Sequence, residues 1–257
     1  MREWAHSAWR LIAVPAVVTA CLAGLGGCGS GDGSNELVVS GAASLETAFN
    51  DYVDAAGIDV KMSFAGSDQL AAQIRQGVTP DVYAAANTSL PDQLFKEGLV
   101  EKPTLFATNS LVLAVPEGSA IGSLEDLTEP GTTIAVGDPA VPVGSYTEEV
   151  LAKLPPAERA AIDDNVRSRE PDVSSIVGKL TQGAVDAGFV YVTDVIASSG
   201  QLQAIELAPS LQPDVAYRAA VVVGAEDPDG AQEFIDGLLS GDGAAALKQN
   251  GFKPPAG

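Results

Sequence analysis

The sequence predicts an α/β protein of two lobes, each a mainly parallel sheet flanked by helices. Three observations carry that expectation. Strand-like apolar runs alternate with helix-like amphipathic runs, the order that buries a parallel sheet between helices. The alternation occurs in two separate stretches, which suggests two sheets rather than one. The chain has 257 residues, 46% of them hydrophobic, enough material for one or two cores.

The first stretch opens with Leu37-Val38-Val39, a β-branched run, and Ser44 starts a helical pattern through Leu45, Ala48, Phe49 and Tyr52. A strand is predicted over 58–64, a helix from Ser67 to Gly77, a short strand over 81–85 and a helix over 89–97. Residues 111–115 form another strand, ended by Pro116. The second stretch predicts a strand over 132–136, helices over 146–153, 156–163 and 173–181, and a strand over 185–192. A long apolar strand over 215–223 and helices over 228–239 and 243–249 close the chain.

Ahead of all this lies a targeting segment. Arg2 and Arg10 precede an apolar run over 11–25, which ends in Leu25-Gly26-Gly27-Cys28. Basic residues, a short apolar stretch and small residues read as a secretory signal over 1–27. The run is shorter than the ~20 residues a spanning helix needs. The cysteine after the small pair resembles a bacterial lipobox, in which Cys28 becomes the lipid-modified first residue. Residues 28–36 then form a flexible polar tether, GSGDGSN over 29–35. Cleavage there would also remove Cys21, leaving no internal disulfide.

Composition excludes several function classes. The chain carries 14 Lys+Arg against 34 Asp+Glu, a formal charge of −20. Losing Arg2, Glu3 and Arg10 with the signal would take it to −21. Such acidity opposes a nucleic-acid partner, which needs clustered Lys and Arg. The single histidine is His6, so the processed chain would hold none. That removes Ser-His-Asp and Cys-His catalysis, and histidine-ligated zinc or haem. No Ser-x-x-Lys follows the signal either, so a serine hydrolase lacks a base.

Ligands of α/β sheets sit beyond the carboxyl ends of the strands, so the strand-to-helix turns are the informative places. Ala42-Ala43-Ser44-Leu45 and Ala65-Gly66-Ser67-Asp68 both put a serine at a helix start behind small residues. A helix start offers free N–H groups and partial positive charge, and serine adds a hydroxyl. Serine is also a common N-cap that only caps, so these turns by themselves leave both readings open. The prolines and glycines of 137–146 specify a rigid connection before a helix. Tyr191 ends a buried-looking strand and supplies a neutral phenolic donor, with Thr193 and Asp194 opening the next helix. Asp138 and Asp194 read as turn and helix-start residues rather than metal ligands.

The ordered set AASLETAF (42–49), FAGSDQLAAQI (64–74), Pro80-Asp81-Val82, VGDPAVPVGSY (136–146), Asp172-Val173 and GFVYVTDV (188–195) resembles the molybdate-binding proteins of ABC importers, which belong to the type II periplasmic binding proteins. The likeness runs from about Leu37 to Phe252. It implies a lobe of 37–110 plus 215–257 and a second of 111–214, with an oxyanion in the cleft. The family's contact positions fall on Ser44 and Ser67 (hydroxyl and backbone N–H), Val143 and Val173 (backbone N–H), and Tyr191 (hydroxyl). It further implies no enzyme activity, no cofactor and no metal held by side chains, the molybdenum arriving as molybdate or tungstate. The expected partners are an ABC permease with its ATPase, and the outer face of the cytoplasmic membrane through the lipid anchor on a monomeric protein. Another anion, such as sulfate, phosphate or an organic acid, is the alternative ligand. Glu46 and Asp68, acidic residues in two first turns, suit the helix dipoles and are expected to face solvent; facing the cleft, either would repel a dianion.

Overall fold

The computed structural model describes residues 36–255, so the signal segment, Cys28 and nearly all of the tether lie outside the described residues. The chain first builds β1 (Leu37–Ala42), a 3₁₀ turn (Ala43–Leu45), α1 (Glu46–Ala56), β2 (Val60–Ala65), α2 (Ser67–Arg75), β3 (Val82–Ala85), α3 (Ser89–Lys96) and β4 (Thr104–Thr108). It then crosses through Asn109 and Ser110 into β5 (Leu111–Pro116), β6 (Ile134–Gly137), α4 (Pro142–Leu151), α5 (Pro156–Asn165), β7 (Val166–Glu170), α6 (Val173–Thr181), β8 (Ala187–Tyr191), α7 (Val192–Ala197) and β9 (Leu202–Glu206). A return crossing leads to β10 (Ala216–Val221), α8 (Pro228–Leu239) and α9 (Gly241–Gln249).

Two five-stranded sheets result, ordered β2-β1-β3-β10-β4 and β7-β6-β8-β5-β9. The orders correspond strand for strand, and each sheet takes in a strand adjoining a crossing. The two crossings lie side by side, since the Asn109 N–H donates to the Val215 carbonyl at 3.0 Å.

Neither sheet is mainly parallel. In each, two pairings are parallel (β1 with β2 and β3; β6 with β7 and β8) and two are antiparallel (β10 with β3 and β4; β5 with β8 and β9). Parallel neighbours require a long crossover, usually a helix. β5 and β10 arrive from the other lobe without one and enter reversed.

Alternation along β3 packs both faces of the first sheet: Val82 and Ala84 join the core of α1, α8 and α9, while Tyr83 and Ala85 join that of α2 and α3. Strands β4, β7 and β9 have no counterpart in the apolar pattern. All three are edge strands, and sequences such as VRSRE and LQAIE leave one face to solvent. Helix α4 begins four residues earlier than its periodicity predicts, because Pro142 occupies its first turn, where a missing N–H costs nothing. Among the described residues no helix is long and apolar enough to cross a membrane.

Asp81, from the Pro80-Asp81-Val82 motif, is a structural residue. It is buried, and its carboxylate accepts the Val38 N–H at 2.8 Å and the Asp227 N–H at 3.0 Å, tying β1 to the start of α8. Asp81→Ala strands both donors and is expected to cost about 3 kcal/mol in urea unfolding without changing ligand selectivity.

Candidate functional site

Four helix starts meet between the two sheets. The residues that cap the 3₁₀ turn, α2, α4 and α6 are Ala42, Gly66, Val141 and Asp172. All four line one cavity of about 20 Å³, together with Ser67, Val143, Val173 and Tyr191. About 10–15 Å³ suffices for one water, so in this arrangement of the lobes the space takes a compact group of a few atoms. Two starts come from each lobe, which makes the cavity a product of lobe apposition.

The first-turn N–H groups of α2, α4 and α6 have no carbonyl within their own helices, and the helix dipoles place partial positive charge there. Val143 and Val173 lie in those turns, so their N–H groups are of this kind. Close packing shapes the strand-to-helix loop ahead of Val143. A Cβ on Gly144 would stand 1.9 Å from the Asp138 carbonyl oxygen, so only glycine fits there. Asp138 itself accepts the Ala140 N–H at 2.9 Å as a turn residue.

Ser67 is 1% exposed, and its Oγ accepts the Ala86 N–H at 3.1 Å. With a lone pair so engaged, its own hydrogen is left to donate. Tyr191 is 1% exposed, and its buried hydroxyl has no hydrogen-bond partner among the described residues. Burial first, then the neighbouring Tyr217, Tyr146 and Asp194, pushes its ionisation far above the ordinary range. It therefore remains a neutral donor, on a residue that lines the cavity.

Ser44 is placed differently. It does not line this cavity but a neighbouring polar cleft, and its Oγ lies 3.0 Å from the Tyr217 hydroxyl. Ala42 and Ala43 of the same turn line the cavity. Of the five residues that the family resemblance singles out, four thus share one cavity and the fifth borders it.

Three carboxylates near the cavity differ in their surroundings. Glu46 is exposed, and it lines the same polar cleft as Ser44. Asp68 is only half-exposed, and its Oδ1 is buried without a partner. Burial raises its pKa, with the charges of Asp138 and Asp172 adding to the effect against hydrogen bonds from nearby backbone. It faces the opposing lobe because α2 begins at the point of contact between lobes. Asp172 lines the cavity, but its Oδ1 is engaged by the Ser175 N–H at 2.8 Å as the cap of α6. Among the described residues no Lys or Arg lines the cavity.

Asp194 caps the Tyr191 backbone, accepting its N–H at 2.8 Å. Burial pushes its carboxyl from 3.8 up to about 7, that hydrogen bond partly opposing the rise. A carboxyl raised in this way binds more protons folded than unfolded. Its contribution to stability is complete below pH 3.8 and is lost as pH rises through about 7. Asp194→Asn keeps an acceptor and removes the charge. Its melting temperature is expected to exceed that of the parent at about pH 8 and to match it at about pH 4.

Two residues at the site carry no motif in the sequence: Tyr217 lies beside Arg218 in the run over 215–223, and Asn109 stands alone at the crossing between lobes. Gly66 does carry one, as a small residue directly ahead of Ser67.

Residues 37–253 match the family described as bacterial extracellular solute-binding protein. The molybdate-binding protein ModA of Mycobacterium tuberculosis is 32% identical over 265 residues, covering 96% of this chain and 99% of that one. ModA of Escherichia coli is 30% identical over 233 residues, covering 84% and 88%. The periplasmic molybdate-binding protein of Azotobacter vinelandii has the same fold, with a TM-score of 0.75 at 21% identity, covering 86% of this chain and 100% of that one. A cleft of converging helix starts between two lobes is the architecture of a receptor, and the chain belongs to the bacterial extracellular solute-binding proteins, a transport family and not one of enzymes.

Proposed function

We propose that the protein captures molybdate, and with it tungstate, outside the cytoplasm and delivers it to an ABC permease driven by its ATPase. The observation that carries this reading is the Tyr191 hydroxyl, buried and unpartnered at a cavity where helix starts converge. In this reading the anion is held by Ser44 and Ser67, the N–H groups of Val143 and Val173, and Tyr191. Every one of those donors is neutral, which suits a chain of charge −20. Local dipoles act at contact distance, while surface charge is screened beyond about 8–10 Å in physiological salt. Hydrogen bonds to a charged group contribute about 1.5–3 kcal/mol each, enough in number here for micromolar to nanomolar affinity after the association cost. A set made only of donors rejects hydrogen phosphate, whose O–H would meet another donor. Selection among tetrahedral dianions then rests on fit to the cavity, molybdate and tungstate being larger than sulfate and close to each other in size. Anchoring through a lipidated Cys28 and the tether would keep a monomeric receptor at the outer face of the membrane.

Thermal-shift titration with molybdate, tungstate, sulfate and phosphate tests the proposal. A ligand at 100 times its dissociation constant adds about 2.7 kcal/mol of stability. Molybdate and tungstate are expected to raise the melting temperature, and sulfate and phosphate to leave it unchanged. A rise with sulfate or phosphate alone would move the ligand choice to the other anion. No response to any of the four would remove the proposal.

A further inference from the structure

Where the chain first crosses between lobes, Asn109 is buried and fully hydrogen-bonded. Its Oδ1 accepts the Ser110 N–H at 2.8 Å, which fixes which end of the amide is oxygen. Its Nδ2 then donates twice, to Thr193 Oγ1 at 2.9 Å and to the Tyr217 hydroxyl at 3.3 Å. Thr193 opens α7 of the second lobe, while Tyr217 lies on β10 of the first.

The direction of every later bond follows. The Tyr217 oxygen, accepting from Asn109, has one hydrogen to place, and its remaining partner is Ser44 Oγ at 3.0 Å. Tyr217 is fully buried, and burial, with the Asp194 charge, holds its ionisation far above the ordinary range, so the hydrogen stays on. Ser44 therefore accepts from Tyr217, and its own hydrogen is left to give elsewhere.

We propose that Asn109 and Tyr217 are positioning residues that make Ser44 a hydrogen-bond donor to the bound anion, and so set the preference for fully deprotonated oxyanions. The chain Asn109–Tyr217–Ser44 starts at a contact with the second lobe and ends beside the cavity. It joins the state of the crossing to the donor character of the site. This rests on the reading in which Ser44 contacts the anion.

Reversing the polarity of the chain is the test. In Asn109→Asp a carboxylate replaces the amide donor, Tyr217 donates to it, and Ser44 must donate to Tyr217. Ser44 would then turn a lone pair toward the ligand. Molybdate affinity of the full-length protein, measured by calorimetry, is expected to fall at least about tenfold, while hydrogen phosphate, which has an O–H to offer, gains relative to molybdate. Adding Tyr217→Phe cuts the chain and frees Ser44 to rotate, so the double variant is expected to bind molybdate better than Asn109→Asp alone. Added charge or a weakened crossing would not be relieved by that second change. Tyr217→Phe alone is expected to lose about three- to tenfold in molybdate affinity and to narrow the gap to phosphate.

An unchanged molybdate-to-phosphate ratio in Tyr217→Phe, or a double variant no better than Asn109→Asp, overturns the inference. Should Asn109→Asp fail to fold, the ratio in Tyr217→Phe decides alone. Failure of the parent protein to bind molybdate removes the functional proposal instead. Loss of binding in Ser44→Ala separates the two, because it tests the contact and not the chain that orients it.

Discussion

Replacing both serines, Ser44→Ala with Ser67→Ala, is expected to weaken molybdate binding by about 3–6 kcal/mol, a loss of two to four orders of magnitude. Each hydroxyl is a neutral donor to a dianion, and hydrogen bonds to charged groups are worth about twice neutral ones. The two changes differ in their cost to the fold. Ser67 Oγ accepts the buried Ala86 N–H, and an alanine leaves that group without a partner. A stability loss of about 1–3 kcal/mol is expected from this, less than would unfold the chain. Ser44→Ala leaves the Tyr217 hydroxyl without its acceptor but keeps the donation from Asn109. Calorimetric titration of the double variant is the measurement, with circular dichroism to establish that it is folded. Affinity within about threefold of the parent would remove both serines from the site.

Gly66→Ala is expected to have the second largest effect, by a different route. A Cβ on Gly66 would stand 2.5 Å from the Pro171 carbonyl oxygen and 2.8 Å from Asp68 Oδ1. Asp68 is a side chain and can turn aside. Pro171 is backbone of the other lobe, in the link from β7 to α6, and cannot. The methyl therefore acts as a wedge between the helix starts that line the cavity. A ligand stabilises the closed arrangement only because both lobes donate to it there, so holding them apart removes half of the donors. About a hundredfold loss of molybdate affinity is expected, together with a larger radius of gyration in the presence of ligand by small-angle scattering. Neither lobe buries the added methyl within its own core, so urea stability without ligand should change by less than about 1 kcal/mol. Parental affinity in Gly66→Ala would mean that the lobes do not need to meet at this point.

Much of the architecture can be read along the chain because it depends on local periodicity. The apolar spacing of α1, α2 and α6, the β-branched start of β1 and the largely apolar runs of β5 and β10 carry their own secondary structure. Edge strands β4, β7 and β9 do not, since half-solvated strands need no apolar alternation and are defined by the neighbour they pair with. The antiparallel half of each sheet was hidden for a related reason. Strand direction is a property of where a strand arrives from, and β5 and β10 arrive across the link between lobes.

At the site, local sequence marked most of the turns that offer donors: a serine behind small residues at Ser44 and at Ser67, a rigid proline- and glycine-rich connection around Val143 and a strand ending in Tyr191, whereas Val173 was pointed to by the family resemblance alone. Each is a short local feature of the chain, so it survives without knowledge of the fold. What those donors face was decided only in three dimensions. Ser44 meets Tyr217 across 173 residues of chain. Gly66 meets Pro171 from the opposite lobe, and Asp68 loses its solvent there. The orphaned hydroxyl of Tyr191 exists because the second sheet and the first close over it. Hydrogen-bond direction and desolvation depend on neighbours distant in sequence, and those neighbours are supplied by the packing of the two lobes.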